Sequence, residues 1–135
     1  MRSRKLNILV LVDTPFAPPE TRSLEPLMTG DDWKDERDVV RTLRALGHAV
    51  RVFGVFDEIE SLSMTLREDP PDLVFVLCES FNSKRHLEAN VIGLLELYGI
   101  PYTGSGPEAL QLCKDKALTK KILQYHDICL LYTSP

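Results

Sequence analysis

An apolar run of leucine and β-branched residues, Leu6 to Val12, is closed abruptly by Asp13-Thr14-Pro15. A run without polar alternation belongs to a strand buried on both faces, and such strands occur in parallel sheets covered by helices. Parallel neighbours in turn require helical crossovers. The rest of the chain supplies them. Val39, Val40, Leu43 and Leu46 fall at helical spacing after Asp31 and Asp32, either of which can cap that helix, and Gly47 ends it. His48 to Val55 forms a second strand through Val50, Val52, Phe53 and Val55. Asp57 to Glu68 is helical, with Ile59, Leu62 and Leu66 facing in and Asp69-Pro70-Pro71 as the break. Asp72 to Leu77 is the third strand. Leu87, Val91, Leu94, Leu95 and Tyr98 then share one helical stripe, Gly99 ends it, and the pre-proline Ile100 leads into a short fourth strand. The alternation predicts an α/β fold: a Rossmann-like parallel sheet of about four strands with helices on both faces.

Two loops follow strand carboxyl ends, where open α/β sheets bind ligands. The first, Thr14 to Trp33, holds Pro15, Pro18, Pro19, Pro26 and Gly30, and is far longer than the roughly two to six residues usual for such a connection. The second runs from Cys78 to His86. Further on, Gly104-Ser105-Gly106 bares the backbone, Pro107 fits the first turn of a helix, and Asp115 can cap another that carries Lys116, Lys120 and Lys121. A bare backbone followed by lysines at a helix start suits an anion such as a phosphate. Gly104-x-Gly106-x-x-Ala109 also matches a dinucleotide fingerprint in form, but it opens no βαβ unit.

The balance of 20 acidic against 16 basic residues gives a net charge of -4, which offers no footprint for nucleic acid or an anionic membrane. Cys78, Cys113 and Cys129 are widely spaced and form no Cys-x-x-Cys pair, which predicts reduced thiols in a cytoplasmic setting. His48, His86 and His126 lie far apart without carboxylates at ligand spacing, so no metal site is predicted. The run ending at Val12 is too short to span a bilayer, and no small-residue cleavage site follows Arg2 to Lys5. The chain is expected to stay where it is made.

Leu94 to Gly106 reads Leu-Leu-Glu-Leu-Tyr-Gly-Ile-Pro-Tyr-Thr-Gly-Ser-Gly and is followed by Asp115-Lys116-Ala117-Leu118-Thr119-Lys120-Lys121. This order of residues resembles the end of the first domain of D-alanine-D-alanine ligases, an ATP-grasp family. The resemblance covers roughly the last third of the chain closely and the rest in pattern. It implies a pre-ATP-grasp domain over residues 1–106, the start of a connection to an ATP-grasp domain over 107–128, and a non-native tail over 129–135. It also implies the chemistry of a parent enzyme: ATP with Mg2+ phosphorylates a carboxylate, and the amine of a second amino acid displaces phosphate. In that family the lysine of the Asp-Lys pair, here Lys116, reaches the nucleotide phosphates.

The family's glutamate motif after the first strand is absent, so its role is not carried over. Trp33-Lys34-Asp35-Glu36-Arg37-Asp38-Val39-Val40 resembles a run in a divergent, ligase-like branch, which makes Glu36 the candidate substrate-side carboxylate. In the loop after the third strand the family's Gly-Glu-Asp-Gly is missing, and Glu79 is the residue on offer. The expected partners are ATP and a small amino acid or peptide, with pairing of two copies through the first domain, to which the Leu87–Tyr98 helix contributes. Two other classes share parts of the pattern. Asn7 to Asp13 with Pro71 to Val74 resembles a receiver signalling module, although Leu77-Cys78 stands where its phosphoacceptor aspartate belongs. Leu46 to Val52 resembles the first domain of nucleotide-sugar glycosyltransferases. Neither accounts for Pro101 to Gly106 followed by Asp115-Lys116-Ala117.

Overall fold

The computed structural model describes residues 4–14 and 24–130. Strand β1 (Asn7–Asp13) is the middle of a three-stranded parallel sheet, with β2 (Ala49–Val55) on one side and β3 (Leu73–Val76) on the other. Val10 stands in register with Val52 and with Phe75. The five inner residues of β1 are all buried, as an unbroken apolar run requires. Their alternation divides the core. Leu9 and Leu11 pack with Leu62 and Leu66 of α2 (Glu60–Glu68) and with Val91, Ile92 and Leu95 of α3 (Glu88–Leu97). Ile8, Val10 and Val12 pack on the opposite face with Val40 of α1 (Lys34–Ala45) and with Leu24 and Met28. Helices therefore cover both faces of the sheet.

The fourth strand position is reduced to one residue. Tyr102 bridges Val74 in parallel, and the Val74 amide donates to the Pro101 carbonyl at 2.8 Å. Pro101 has no amide to give, and Gly104 at φ +100° turns the chain away, so pairing stops after a single rung. Thr103 fills part of the gap: its amide donates to the Val74 carbonyl at 3.0 Å, and its Oγ1 accepts from the Val76 amide at 3.0 Å.

Three local expectations change. Asp31 and Asp32 do not cap α1; with Trp33 they form a 3-10 turn that runs directly into Lys34. Leu46 is 63% exposed, because it lies beyond the last turn of α1 where the chain bends toward Gly47. Helix α2 starts at Glu60 rather than Asp57, with Ile59 half out in water and the Glu58 carboxylate accepting the Ser61 amide at 2.8 Å. Gly47 and Gly99 take positive φ just past α1 and α3, as helix-ending glycines do.

Residues 15–23 of the first loop lie outside the described residues, but its return is fastened to α1. Arg44 donates to both carboxylate oxygens of Glu25 at 2.5 and 2.8 Å, and Arg37 donates to the Gly30 carbonyl at 2.5 Å. His48 plays a structural part, since its Nδ1 accepts the Leu6 amide at 3.2 Å and ties the start of β1 to the turn before β2.

Candidate functional site

With β2 and β3 on opposite sides of β1, the carboxyl ends of β1 and β3 form the switch point at which open sheets bind ligands. One carboxylate joins them. Asp13 accepts the Glu79 amide at 2.9 Å and the Ser80 hydroxyl at 2.5 Å, so the loop after β3 is fastened to the end of β1. Asn82 and Ser83 both have positive φ, 51° and 56°, and Phe81 and Lys84 exchange backbone hydrogen bonds at 3.3 and 2.9 Å around them. That geometry is a two-residue tight turn of the hairpin kind, in which asparagine is one of the few residues at ease. The Asn82 amide also donates to the Phe56 carbonyl at 2.6 Å, which anchors the tip beside the end of β2. The loop is a preformed platform.

A cleft of about 250 Å³ opens beside it, between the end of β3, the start of α3 and the Gly104-Ser105 turn before α4 (Pro107–Lys114). Glu79 and Glu88 supply carboxylates to its wall, Thr103 and Ser105 supply hydroxyls, and Ile92 and Leu110 supply its apolar part. Glu79 is ion-paired with Arg85 across the base of the loop, and both side chains are exposed. Cys78 closes the floor. Burial, aided by the charge of Asp13, pushes its thiol up to about 12, and Sγ donates to the Ser80 carbonyl at 3.0 Å. A thiol held protonated in this way is a poor nucleophile.

Glu79 therefore joins the glycine turn in one cleft. Glu36 sits on the other face of the sheet, in the first turn of α1 and one turn before the buried Val40. Its Oε2 is buried with no hydrogen-bond partner among the described residues. Lys116 opens α5 (Lys116–Tyr125), whose first turn is capped by the Asp115 carboxylate accepting the Leu118 amide at 2.9 Å. Lys116 is exposed, makes no ion pair with any described residue and is not part of the cleft wall. An unpaired exposed ammonium at a helix start is free to meet a phosphate.

Lys114, two residues earlier, does reach back. Its ammonium donates to the Glu88 carboxylate and to the Arg85 carbonyl, closing the end of α4 onto the start of α3. Sequence spacing gives no sign of this pair, nor of Asp13 as the tie between loops, because both contacts join residues far apart in the chain. Among the described residues no three His, Cys, Asp or Glu side chains are arranged to hold a metal ion. No described helix is long and apolar enough to cross a membrane.

No family model matches the chain. Curated relatives do. A D-alanine-D-alanine ligase of Syntrophotalea carbinolica is 37% identical over 98 residues, which are 69% of this chain and 31% of that protein. The ligase of Pelotomaculum thermopropionicum is 38% identical over 80 residues, 59% of this chain and 23% of its own length. Two crystal structures of the Bacillus anthracis D-alanine-D-alanine ligase, one complexed with ATP, superpose with TM-scores of 0.55 and 0.57 at 24% and 20% identity. They cover 93% and 90% of this chain, which in turn covers 36% and 35% of them. The chain spans between 23% and 36% of the length of these curated relatives. In sequence over most of its length, and in fold, the chain is D-alanine-D-alanine ligase-like and corresponds to one portion of such a protein.

Proposed function

We propose that this chain is the amino-terminal part of an ATP-dependent carboxylate-amine ligase. The observation that carries the reading is the set of curated D-alanine-D-alanine ligases matched at 29% to 38% identity. In the parent protein, the γ-phosphoryl group of ATP passes to a carboxylate oxygen. The amine of a second amino acid then attacks the activated carbonyl, and phosphate leaves as the amide bond forms. Residues 1–106 would be the sheet domain, 107–128 the start of the connection to an ATP-grasp domain, and 129–135 a tail foreign to it. The setting is cytoplasmic wall-precursor synthesis, with Mg2+ held by residues outside this chain.

Three side chains have roles in this reading. Lys116, exposed and without an ion pair among the described residues, meets the nucleotide phosphates. Glu36, with a buried oxygen that has no partner among the described residues, is a carboxylate on the side of the substrate, an amino acid or peptide. Glu79 lines the cleft at the switch point and is a second candidate for contact with substrate there. Two copies pair through α3, where Leu97 is 85% exposed. The coding sequence beyond Ile128 is the test. A continuation carrying the carboxylates, arginine and lid of an ATP-grasp domain supports the proposal, whereas a receiver or sugar-nucleotide domain there overturns it.

A further inference from the structure

Helix α5 has two apolar faces and uses only one. Thr119 and Leu123 are half-buried on the side toward α4, and Thr119 Oγ1 bonds the Leu112 carbonyl at 2.5 Å. About a quarter-turn or more around the helix, Leu118, Ile122 and Tyr125 follow one another at steps of four and three, so they form a second stripe. They are 45%, 37% and 84% exposed, and α5 has no buried residue. Lys116, Lys120 and Gln124 occupy the remaining surface. An amphipathic helix needs one apolar stripe to pack on a domain. A second stripe left in water serves another surface.

We infer that the Leu118-Ile122-Tyr125 stripe is the seat of the remaining, covalently joined part of the ligase polypeptide; the inference rests on the function proposed above. Two observations select this occupant. The first is length: this chain matches only 23% to 36% of its relatives, so most of a ligase lies outside it. The second is area. Three partly exposed side chains offer far less than the roughly 800 Å² per partner of a stable interface between separate proteins. A tethered partner needs no such area, because its effective concentration is of the order of millimolar.

The test compares the 135-residue chain with a fusion in which its residues up to Ile128 are continued by the remainder of the Moorella thermoacetica D-alanine-D-alanine ligase, which is 35% identical over its matched part. Each is made with the native stripe and as the L118S/I122S variant. In the 135-residue chain the variant is expected to leave the thermal midpoint within about a degree or two, because neither side chain is buried in it. In the fusion it should lower the midpoint by several degrees, and the Tyr125 ring should lose its protection from nitration. Loss of stability in the short chain overturns the inference, since the stripe would then be packed within it. Concentration-dependent association of the short chain that the variant abolishes overturns it in favour of a second copy. A fusion unaffected by the variant, or with Tyr125 as reactive as in the short chain, overturns it as well. A fusion that shows the stripe effect but does not bind ATP leaves the seat standing and removes the ligase reading, so the two failures are distinct.

Discussion

Two side chains carry predictions at the level of the single residue. Glu36 lies on the buried stripe of α1 with an oxygen that has no partner among the described residues, and a buried polar atom without a hydrogen bond costs about 1–3 kcal/mol. Replacing it by methionine, Glu36→Met, is expected to stabilise the chain by about 1 kcal/mol, read as a higher urea midpoint at constant slope. A lower midpoint would show that the carboxylate is satisfied. Cys78 titrates in the opposite sense from the usual stabilising carboxylate. Its thiol is raised from 9.0 to about 12, so the unfolded chain releases the proton first as pH rises. Its contribution is intact below about pH 9 and is lost progressively between there and about 12. At pH 8, iodoacetamide should label the exposed Cys113 and Cys129 and spare Cys78, with peptide mass spectrometry as the readout. Rapid labelling of Cys78 in the native state would contradict its burial.

At the level of the element, close approach and pairing decide. A Cβ on Gly54 in β2 would lie 2.8 Å from Thr14 Cγ2 and 3.0 Å from Leu24 Cδ2. Both neighbours belong to the first loop, so Gly54→Ala should cost about 1–3 kcal/mol by overpacking, seen in chemical denaturation. The Lys114 side chain is 31% exposed and Glu88 only 13%, which places the pair between surface and core. Lys114→Met should cost about 2 kcal/mol by stranding the carboxylate, and adding Glu88→Gln should recover part of it in a double-mutant cycle. Full additivity would mean that the pair contributes no coupling. The strands and helices were legible because their signals are local: the apolar run of β1, the stripe of α3, Gly47 and Gly99 as stops, Asp115 as a cap. What the sequence hid was of two kinds. The fourth strand failed because Pro101 and Gly104 remove what a ladder needs on either side of Tyr102. The Asp13 and Lys114 contacts were invisible because they exist only after the sheet has brought distant segments together.

For the whole molecule, the candidate site was legible only in part. Glu79 and the glycine turn are marked by their place after strands, and they share a cleft. Glu36 lies on the opposite face of the sheet, and Lys116 sits on a helix packed mainly against α4, so neither touches that cleft wall. An amide-forming reaction needs the phosphoryl donor, the metal and the oxyanion partner in one place, and the chain spans only 23% to 36% of the length of the ligases it matches. The 135-residue chain given ATP, magnesium and D-alanine is therefore expected to release no ADP above background in a coupled assay. Magnesium-dependent turnover by this polypeptide would require a second, complete centre within it. Its sheet edge is meanwhile stiff. Because one aspartate both terminates β1 and grips the loop beyond β3, the two rims of the mouth are a single body. A visiting molecule meets a shape already set when the chain folds, and selection at this edge would rest on fit rather than on closure.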